Sequence, residues 1–252
     1  MKSFVASYRN EWAKLIARKK YIVFLCIGLG FCLIWTGLGQ IVSNFFKDQG
    51  GFSLTLTPTP MGGLPFFLQV MIPFLMFMGM TDLITVEGAD NTMKAMICRP
   101  VERWKLYFSK ILSVLTYAAM YLLCVFIICA VLNQIFGKPI SISEFFISLA
   151  SYAITLVPLA ILASYAAFVA ILGKSGTLTM FILLLSYLLM SVLPVFFPVL
   201  TEMLFTSYLG WYRLWIGALP RATKLVHMLL IVLGYGVTFL TAGSLLYDRK
   251  DY

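Results

Sequence analysis

The chain has 252 residues, of which 61% are apolar and only 12% are charged. Soluble domains have about 45–50% apolar and about 25% charged residues, so this composition excludes a soluble protein and indicates an integral membrane protein. Six segments can cross about 30 Å of hydrocarbon at about 1.5 Å per residue, which leaves no room for a soluble catalytic domain. We predict a single all-α membrane domain over residues 1–252, with transmembrane helices near 21–42, 64–83, 111–132, 146–172, 177–198 and 225–246.

Residues 1–20 are the first predicted element, an amphipathic helix. Its apolar side chains recur at helical spacing: Phe4, Val5, Tyr8, Trp12, Leu15 and Ile16. A basic helix with aromatic residues on its apolar side can lie in the membrane interface. A frayed basic tail is the alternative. The following Arg18-Lys19-Lys20 run would anchor the first span at the inner surface.

Spans one and two each carry residues that are unusual in a soluble helix. Span one contains four glycines, which favour close packing between membrane helices: Gly28, Gly30, Gly37 and Gly39. Residues 47–64 are rich in glycine and proline and predict an outer loop. Pro73 interrupts span two, and Asp82 at its inner end could pair with a neighbouring basic residue.

The segment 87–103 lies between spans two and three. Asp90 or Asn91 can cap a short helix that begins at Thr92. Pro100 ends that helix, because proline disfavours α geometry in the residue before it. Three apolar side chains then share one face: Met93, Met96 and Ile97. Such a patch between two spans predicts a docking helix for another protein, and an ordinary solvated loop is the alternative of equal weight.

Spans three to five contain few polar residues. Lys110, near the start of span three, is expected to snorkel to the interface. Span four is rich in small residues that suit tight helix contact, and Pro158 should kink it. Gly173-Lys174-Ser175 resembles the end of a phosphate-binding loop, but Phe168 stands where that loop has a glycine. We interpret these residues as a tight cytoplasmic turn, with Ser175 or Thr177 capping span five.

Residues 199–224, between spans five and six, are amphipathic and rich in aromatic side chains. Such residues favour the headgroup layer, so we predict short interfacial or re-entrant helices on the outer side. His227 is the only histidine and follows at the outer end of span six. An interfacial position is a better interpretation of this histidine than a ligand or a proton relay.

The positive charges predict the topology. With six spans both chain ends lie on one side, and placing them inside leaves 14 of the 19 Lys and Arg residues inside and five outside. The positive-inside rule therefore predicts cytoplasmic N- and C-termini in the cell membrane. The net charge of +9 then reports topology and not a polyanionic ligand. We expect membrane lipid, but no nucleic acid, among the partners.

Catalytic chemistry is not indicated by the sequence. Four cysteines lie within predicted spans (Cys26, Cys32, Cys124 and Cys129), and neither their positions nor that of Cys98 predicts a disulfide or a metal site. A single histidine cannot form a paired-histidine metal centre. We predict no catalytic residues, no metal and no cofactor. The spans also lack the ionisable groups of an ion-coupled carrier, so the energy for any transport would enter from another subunit.

The 87–103 segment and its flanks carry a family resemblance. Glu87, Asn91-Thr92, Arg99-Pro100-Val101, Arg103 and Ser109-Lys110 together resemble the cytoplasmic signature of type-2 ATP-binding-cassette (ABC-2) exporter permeases. In that family a glutamate and a threonine precede a short coupling helix, a Pro-Val/Ser-x-Arg turn follows it, and a Gly/Ser-Lys pair begins the next span. Asn91-Thr92 replaces the usual Gly-Thr pair.

The resemblance implies a function and partners. The chain would be the permease subunit of an ATP-driven exporter, without an ATPase site of its own, in a homodimer or paired with a similar permease. Separate ATP-binding subunits would push on a coupling surface formed by Glu87, Asn91, Thr92, Met93, Met96, Ile97, Arg99, Pro100 and Arg103. Its layout is most similar to small bacterial permeases of antimicrobial-peptide immunity and antibiotic export, which suggests an amphipathic substrate. A non-transporting membrane scaffold or sensor partner is the rival class.

Overall fold

The computed structural model describes residues 2–48, 60–89, 102–136, 141–215 and 222–250, and within these ranges every regular element is helical. The predicted all-α class is thereby confirmed. The helices are α1 (Lys2–Ala17), α2 (Lys19–Asp48), α3 (Pro60–Ala89), α4 (Arg103–Phe136), α5 (Ile142–Ile154), α6 (Leu156–Leu172), α7 (Gly176–Phe196), α8 (Leu200–Met203), a 3₁₀ helix over Phe205–Trp215 that we call the 205–215 segment, and α9 (Ala222–Arg249).

Among the described residues, five segments are long and apolar enough to cross a membrane: Pro60–Ala89, Arg103–Ile135, Ile142–Leu172, Gly176–Phe196 and Leu225–Arg249. They correspond to predicted spans two to six. The predicted first span lies in α2, a helix of 30 residues. Side chains from residue 35 onward in α2 lie outside the described part, so span one, and with it the total of six spans, stays a prediction. Helix α2 continues to Asp48 and α3 begins at Pro60, so both helices extend into the predicted outer loop 47–64.

Helix α1 lies against α4 and is not a frayed tail. The hydroxyl of Tyr8 donates to Oγ1 of Thr116 at 3.1 Å, and the Trp12 ring lies 6.2 Å from that of Tyr117. Leu15 is buried on the same side. The apolar face of α1 therefore packs on protein, and its position at the membrane interface stays a prediction.

Helix α6 occupies the centre of the bundle. Its small residues Ala163, Ala166, Ala167 and Ala170 are completely buried, which lets the neighbouring helices approach closely. The span that contains it is interrupted at Thr155, three residues before Pro158, and so consists of α5 and α6. A proline in a helix removes one backbone hydrogen bond and crowds the preceding turn, which explains the break.

Helix α3 contains two π-helical stretches, Phe67–Met71 and Thr81–Val86. The first precedes Pro73, whose nitrogen cannot donate to the carbonyl of Gln69 four residues earlier. The hydroxyl of Tyr187 in α7 donates to that carbonyl instead, at 2.8 Å. The interruption predicted at Pro73 is therefore compensated by a contact from another span, and the helix continues.

The 205–215 segment packs inward. The Phe205 ring lies 5.3 Å from that of Tyr165 in α6 and 5.9 Å from that of Phe239 in α9. Oγ1 of Thr206 donates to the carbonyl of Met190 at 3.1 Å. The aromatic side chains that predicted a headgroup location thus contact the protein interior, and the re-entrant assignment stays a prediction.

Two glycines allow close approach between helices. A Cβ at Gly28 would lie 1.6 Å from the hydroxyl oxygen of Tyr121, and one at Gly243 would lie 2.1 Å from that of Tyr107. Only hydrogen fits beside either tyrosine. The close approach of α2 and α4 at Gly28 continues along both helices, where Sγ of Cys32 lies 3.8 Å from Sγ of Cys129. The sequence indicated no such proximity between these two cysteines.

Candidate functional site

Four charged side chains from three helices form a closed network, which we call the charge network: Glu11 and Lys14 of α1, Glu87 of α3 and Lys110 of α4. Nζ of Lys110 lies 3.0 Å from Oε2 of Glu11 and 2.7 Å from Oε2 of Glu87. Nζ of Lys14 lies 3.1 Å from Oε1 of Glu11 and 2.8 Å from Oε1 of Glu87. Each carboxylate is shared by both ammonium groups, so the network is electrically balanced.

The network is almost completely buried. Lys110 is 0% exposed, Glu11 1% and Glu87 5%, whereas the side chain of Lys14 is 27% exposed. A buried ion costs several kcal/mol to desolvate, roughly, and is tolerated only when its partners replace water. The four charges therefore have to assemble together, and their assembly fixes the positions of α1, α3 and α4 relative to one another.

The local geometry explains why these residues meet. Glu11 and Lys14 are three residues apart in α1 and so lie on one face of it. That face is directed toward α4 by the contacts of Tyr8 and Trp12. Lys110 lies about two turns into α4 and is completely buried, so its ammonium group requires carboxylate partners.

Asp82, which precedes Glu87 in α3, is the centre of a second cluster of charged side chains. It pairs with Nη1 of Arg18 at 2.9 Å and with Lys20, and it accepts a hydrogen bond of 2.6 Å from the hydroxyl of Tyr21. This confirms the expectation that Asp82 pairs with a basic neighbour. Asp82 and Glu87 are five residues apart, and the intervening π-helical stretch, with its i→i+5 hydrogen bonds, turns both toward α1 and the start of α2.

Arg103 caps the end of another helix. Its Nη1 donates to the carbonyl of Asp248 at 2.6 Å and to that of Lys250 at 3.4 Å. The last carbonyls of a helix have no partner within it and attract cations. Lys250 in turn donates to the carbonyl of Ile171 in the last turn of α6, and burial lowers the pKa of its ammonium group. The start of α4 is thereby joined to the ends of α9 and α6.

These contacts define one face of the molecule. We call it the terminal face, and it contains Lys14, Glu87, Arg103, Ile171 and Lys250. Tyr247, in the last turns of α9, is completely buried. Five helices, α1, α3, α4, α6 and α9, are therefore connected at this face through charged or polar contacts.

Two of the nine predicted coupling residues, Glu87 and Arg103, lie among the described residues, one at each end of the 87–103 segment. The other seven lie outside the described part of the chain: Asn91, Thr92, Met93, Met96, Ile97, Arg99 and Pro100. The structure attaches Glu87 to α1 and α4, and Arg103 to α9.

One sequence prediction at this site is wrong. Lys110 does not snorkel to an interface, because its ammonium group is fully buried between Glu11 and Glu87. Sequence reasoning also missed Glu11 and Lys14 as members of the network. A signal for Glu11 was present, since it is the only acidic residue among the first 20, which contain six Lys or Arg residues.

The charge network consists of paired acids and bases. Among the described residues, no group of three or more His, Cys, Asp or Glu side chains could hold a metal ion. The acids and bases of the network neutralise one another. Its chemistry is that of a mechanical connection between helices, and the segment it supports is the one that carries the family resemblance.

Comparison with known families agrees with that resemblance. A family model described as "ABC-2 family transporter protein" matches residues 8–191, which include the whole charge network and Asp82. Comparison with curated protein sequences gives no significant match. The family match covers far more than half of the 252 residues. The chain is therefore a membrane protein of the ABC-2 family of transporter proteins.

Proposed function

We propose that the chain is the membrane-spanning permease subunit of an ATP-driven exporter that moves an amphipathic substrate. ATP would be hydrolysed by separate ATP-binding subunits, and the permease would work as a homodimer or paired with a similar chain. Membership of the ABC-2 family supports this assignment. The terminal face would then be cytoplasmic, as the distribution of positive charge predicts.

The observation that carries the proposal is the attachment of both ends of the 87–103 segment. Glu87 holds one end to α1 and α4 through the charge network. Arg103 holds the other end to the C-terminal turn of α9, and Lys250 extends this connection to α6. A force applied to the segment by an ATP-binding subunit would then reach five helices, α1, α3, α4, α6 and α9, through side-chain contacts.

Buried ion pairs suit such a connection. Separating one partner from a buried pair costs about 3–5 kcal/mol, whereas moving the whole group as a unit leaves the pairs intact. The network therefore favours movement of α1, α3 and α4 as one body. Rearrangement of the remaining helices around that body would expose the substrate path first to one side of the membrane and then to the other.

The test uses Ile97→Asp, which places a carboxylate on the predicted docking face. Burial of an isoleucine contributes about 1.5–3 kcal/mol, so its loss weakens association about 10- to 100-fold. The tagged chain is purified from membranes of its own cells, and the co-purified ATP-binding-cassette subunit, ATP hydrolysis and export are measured. We expect the variant to reach normal membrane levels, with weakened association and loss of export.

Leu172→Asp is the matched control, since Leu172 is 58% exposed at the end of α6 near the terminal face but outside the 87–103 segment. It should retain the ATP-binding subunit. Full association and export in Ile97→Asp would show that the segment is an ordinary loop. Absence of any ATP-binding-cassette subunit from the wild-type preparation would favour the scaffold or sensor class instead.

A further inference from the structure

A cavity of about 1200 Å³ lies away from the terminal face, between α3, α7, the 205–215 segment and α9. Sites for drug-sized ligands usually have about 300–1000 Å³, so this cavity has room for a larger molecule. Its walls are mainly apolar, with Leu68, Met71 and Phe74 from α3 and Leu188 from α7. Such walls would accommodate a long or bulky apolar group.

Gln69 adds a polar group to one wall. It lies in a membrane-spanning helix, yet its side chain is exposed and lines the cavity. Polar side chains within spans are uncommon and tend to mark binding sites or pathways. The bond from Tyr187 to the backbone carbonyl of Gln69 fixes this turn of α3. A contact from α7 therefore fixes the backbone position of Gln69 at the cavity wall.

Two opposite charges line the same cavity. Glu202 and Arg213 are both exposed there. Within the described residues, no salt bridge includes either side chain. Arg213 donates a weak hydrogen bond of 3.4 Å to the hydroxyl of Tyr212, and the backbone carbonyl of Glu202 accepts one of 2.6 Å from Tyr208. Both charges are thus held on ordered segments without neutralising each other.

From these features we infer that the cavity binds a zwitterionic amphiphile. Its apolar part lies between α3 and α7, its anionic group faces Arg213, and its cationic group faces Glu202. The inference rests on the proposed function, for which this cavity is the substrate site. The charge network is not part of the cavity, so binding and coupling can be tested separately.

The test measures binding to the purified permease in nonionic detergent, without an ATP-binding subunit. Three fluorescent probes share one acyl chain and differ in headgroup: a zwitterionic lysophosphatidylcholine, an anionic lysophosphatidic acid and a cationic alkyltrimethylammonium. We expect the zwitterionic probe to bind most tightly. Arg213→Gln should weaken binding of the zwitterionic and anionic probes about two- to fivefold, as expected for partly exposed ion pairs. Glu202→Gln should weaken the zwitterionic and cationic probes to the same extent.

A variant that fills the cavity provides the steric arm of the test. Ser191 is exposed on the cavity wall, so Ser191→Trp should abolish binding of all three probes without disturbing the fold. Lys105→Gln, which removes a charge near the terminal face, should change nothing. Equal binding of the three probes, or full binding in Ser191→Trp, would overturn the inference.

Competition then identifies the source of the zwitterion. Displacement of the probe by unlabelled zwitterionic lysolipid points to a lipid. Displacement by an apolar peptide with free termini, but not by the same peptide with blocked termini, points to a peptide. The two proposals can fail separately. If the probes bind with the expected headgroup preference but no ATP-binding subunit is found in the cells, the binding site is supported and only the proposed transport function is refuted.

Discussion

Removal of the Lys110 ammonium group is the most direct test of the charge network. Lys110→Met has a similar length and apolar stem but leaves Glu11 and Glu87, 1% and 5% exposed, with Lys14 as their remaining partner in the network. Breaking a buried pair in this way costs about 3–5 kcal/mol. For a chain of this size, that corresponds to a decrease in Tm of about 6–20 °C.

A second substitution, Glu11→Gln, distinguishes loss of the ion pair from simple loss of packing. Its effect on stability should change sign when Lys110 is absent. In the wild type, Glu11→Gln should be destabilising, because it leaves Lys110 with one carboxylate. In the Lys110→Met background the same change should be stabilising, because it removes an excess buried negative charge. Such a reversal is the signature of direct coupling in a double-mutant cycle.

Thermal unfolding of the purified chain in detergent, followed by far-UV circular dichroism, measures these effects. Lys105→Met is the control, because its partner Glu102 has a side chain that is 57% exposed and exposed pairs contribute little. The pKa of Glu102 is lowered mainly by its hydrogen bond from Lys105 and secondly by the one from Trp104. Solvent nevertheless screens the pair between Lys105 and Glu102. Equal Tm values for Lys110→Met and Lys105→Met, or the same sign for Glu11→Gln in both backgrounds, would refute the reasoning.

Two further predictions concern topology and packing. Single cysteines at Ser3 and Tyr252 of a cysteine-free variant should resist membrane-impermeant reagents in intact cells, whereas one at Ser53 should react; labelling of either terminal position would contradict the six-span topology. Gly28→Ala should destabilise the chain by about 1–3 kcal/mol, because its Cβ would lie 1.6 Å from the Tyr121 hydroxyl. Tyr121→Phe should recover part of that loss in thermal unfolding, and a change that adds to it instead would exclude this contact.

The sequence predicts the membrane helices well because their signal is local. A span requires about 20 consecutive apolar residues, and each such run can be recognised without knowledge of its neighbours. The irregular positions of these helices were also predictable from Pro73 and Pro158. The partner of the Gln69 carbonyl that Pro73 leaves free was not, because Tyr187 lies 118 residues after Gln69.

The charge network shows where local reasoning ends. Glu11 and Lys110 are 99 residues apart, and Lys14 and Glu87 are 73 apart. No periodicity connects residues on separate helices, so Lys110 was assigned the behaviour of an isolated lysine near a span end. A lysine and a glutamate that are buried at the facing ends of successive spans each require a partner of opposite charge. That requirement is the feature from which a pair between Lys110 and Glu87 could be predicted.

Helix α3 joins the two sites on which the proposals depend. Glu87 stands at one end of it and Gln69 is 18 residues earlier, a separation of about 27 Å along the helix. Gly79 lies between them, where a Cβ would approach Val114 of α4 to 3.0 Å, so α3 and α4 are in close contact along this stretch. The π-helical stretches and Pro73 are the places where α3 departs from regular geometry and where bending is least costly. Under the proposed function, displacement of the 87–103 segment therefore moves the wall that carries Gln69, and the hydrogen bond from Tyr187 passes that movement to α7 on the other side of the cavity.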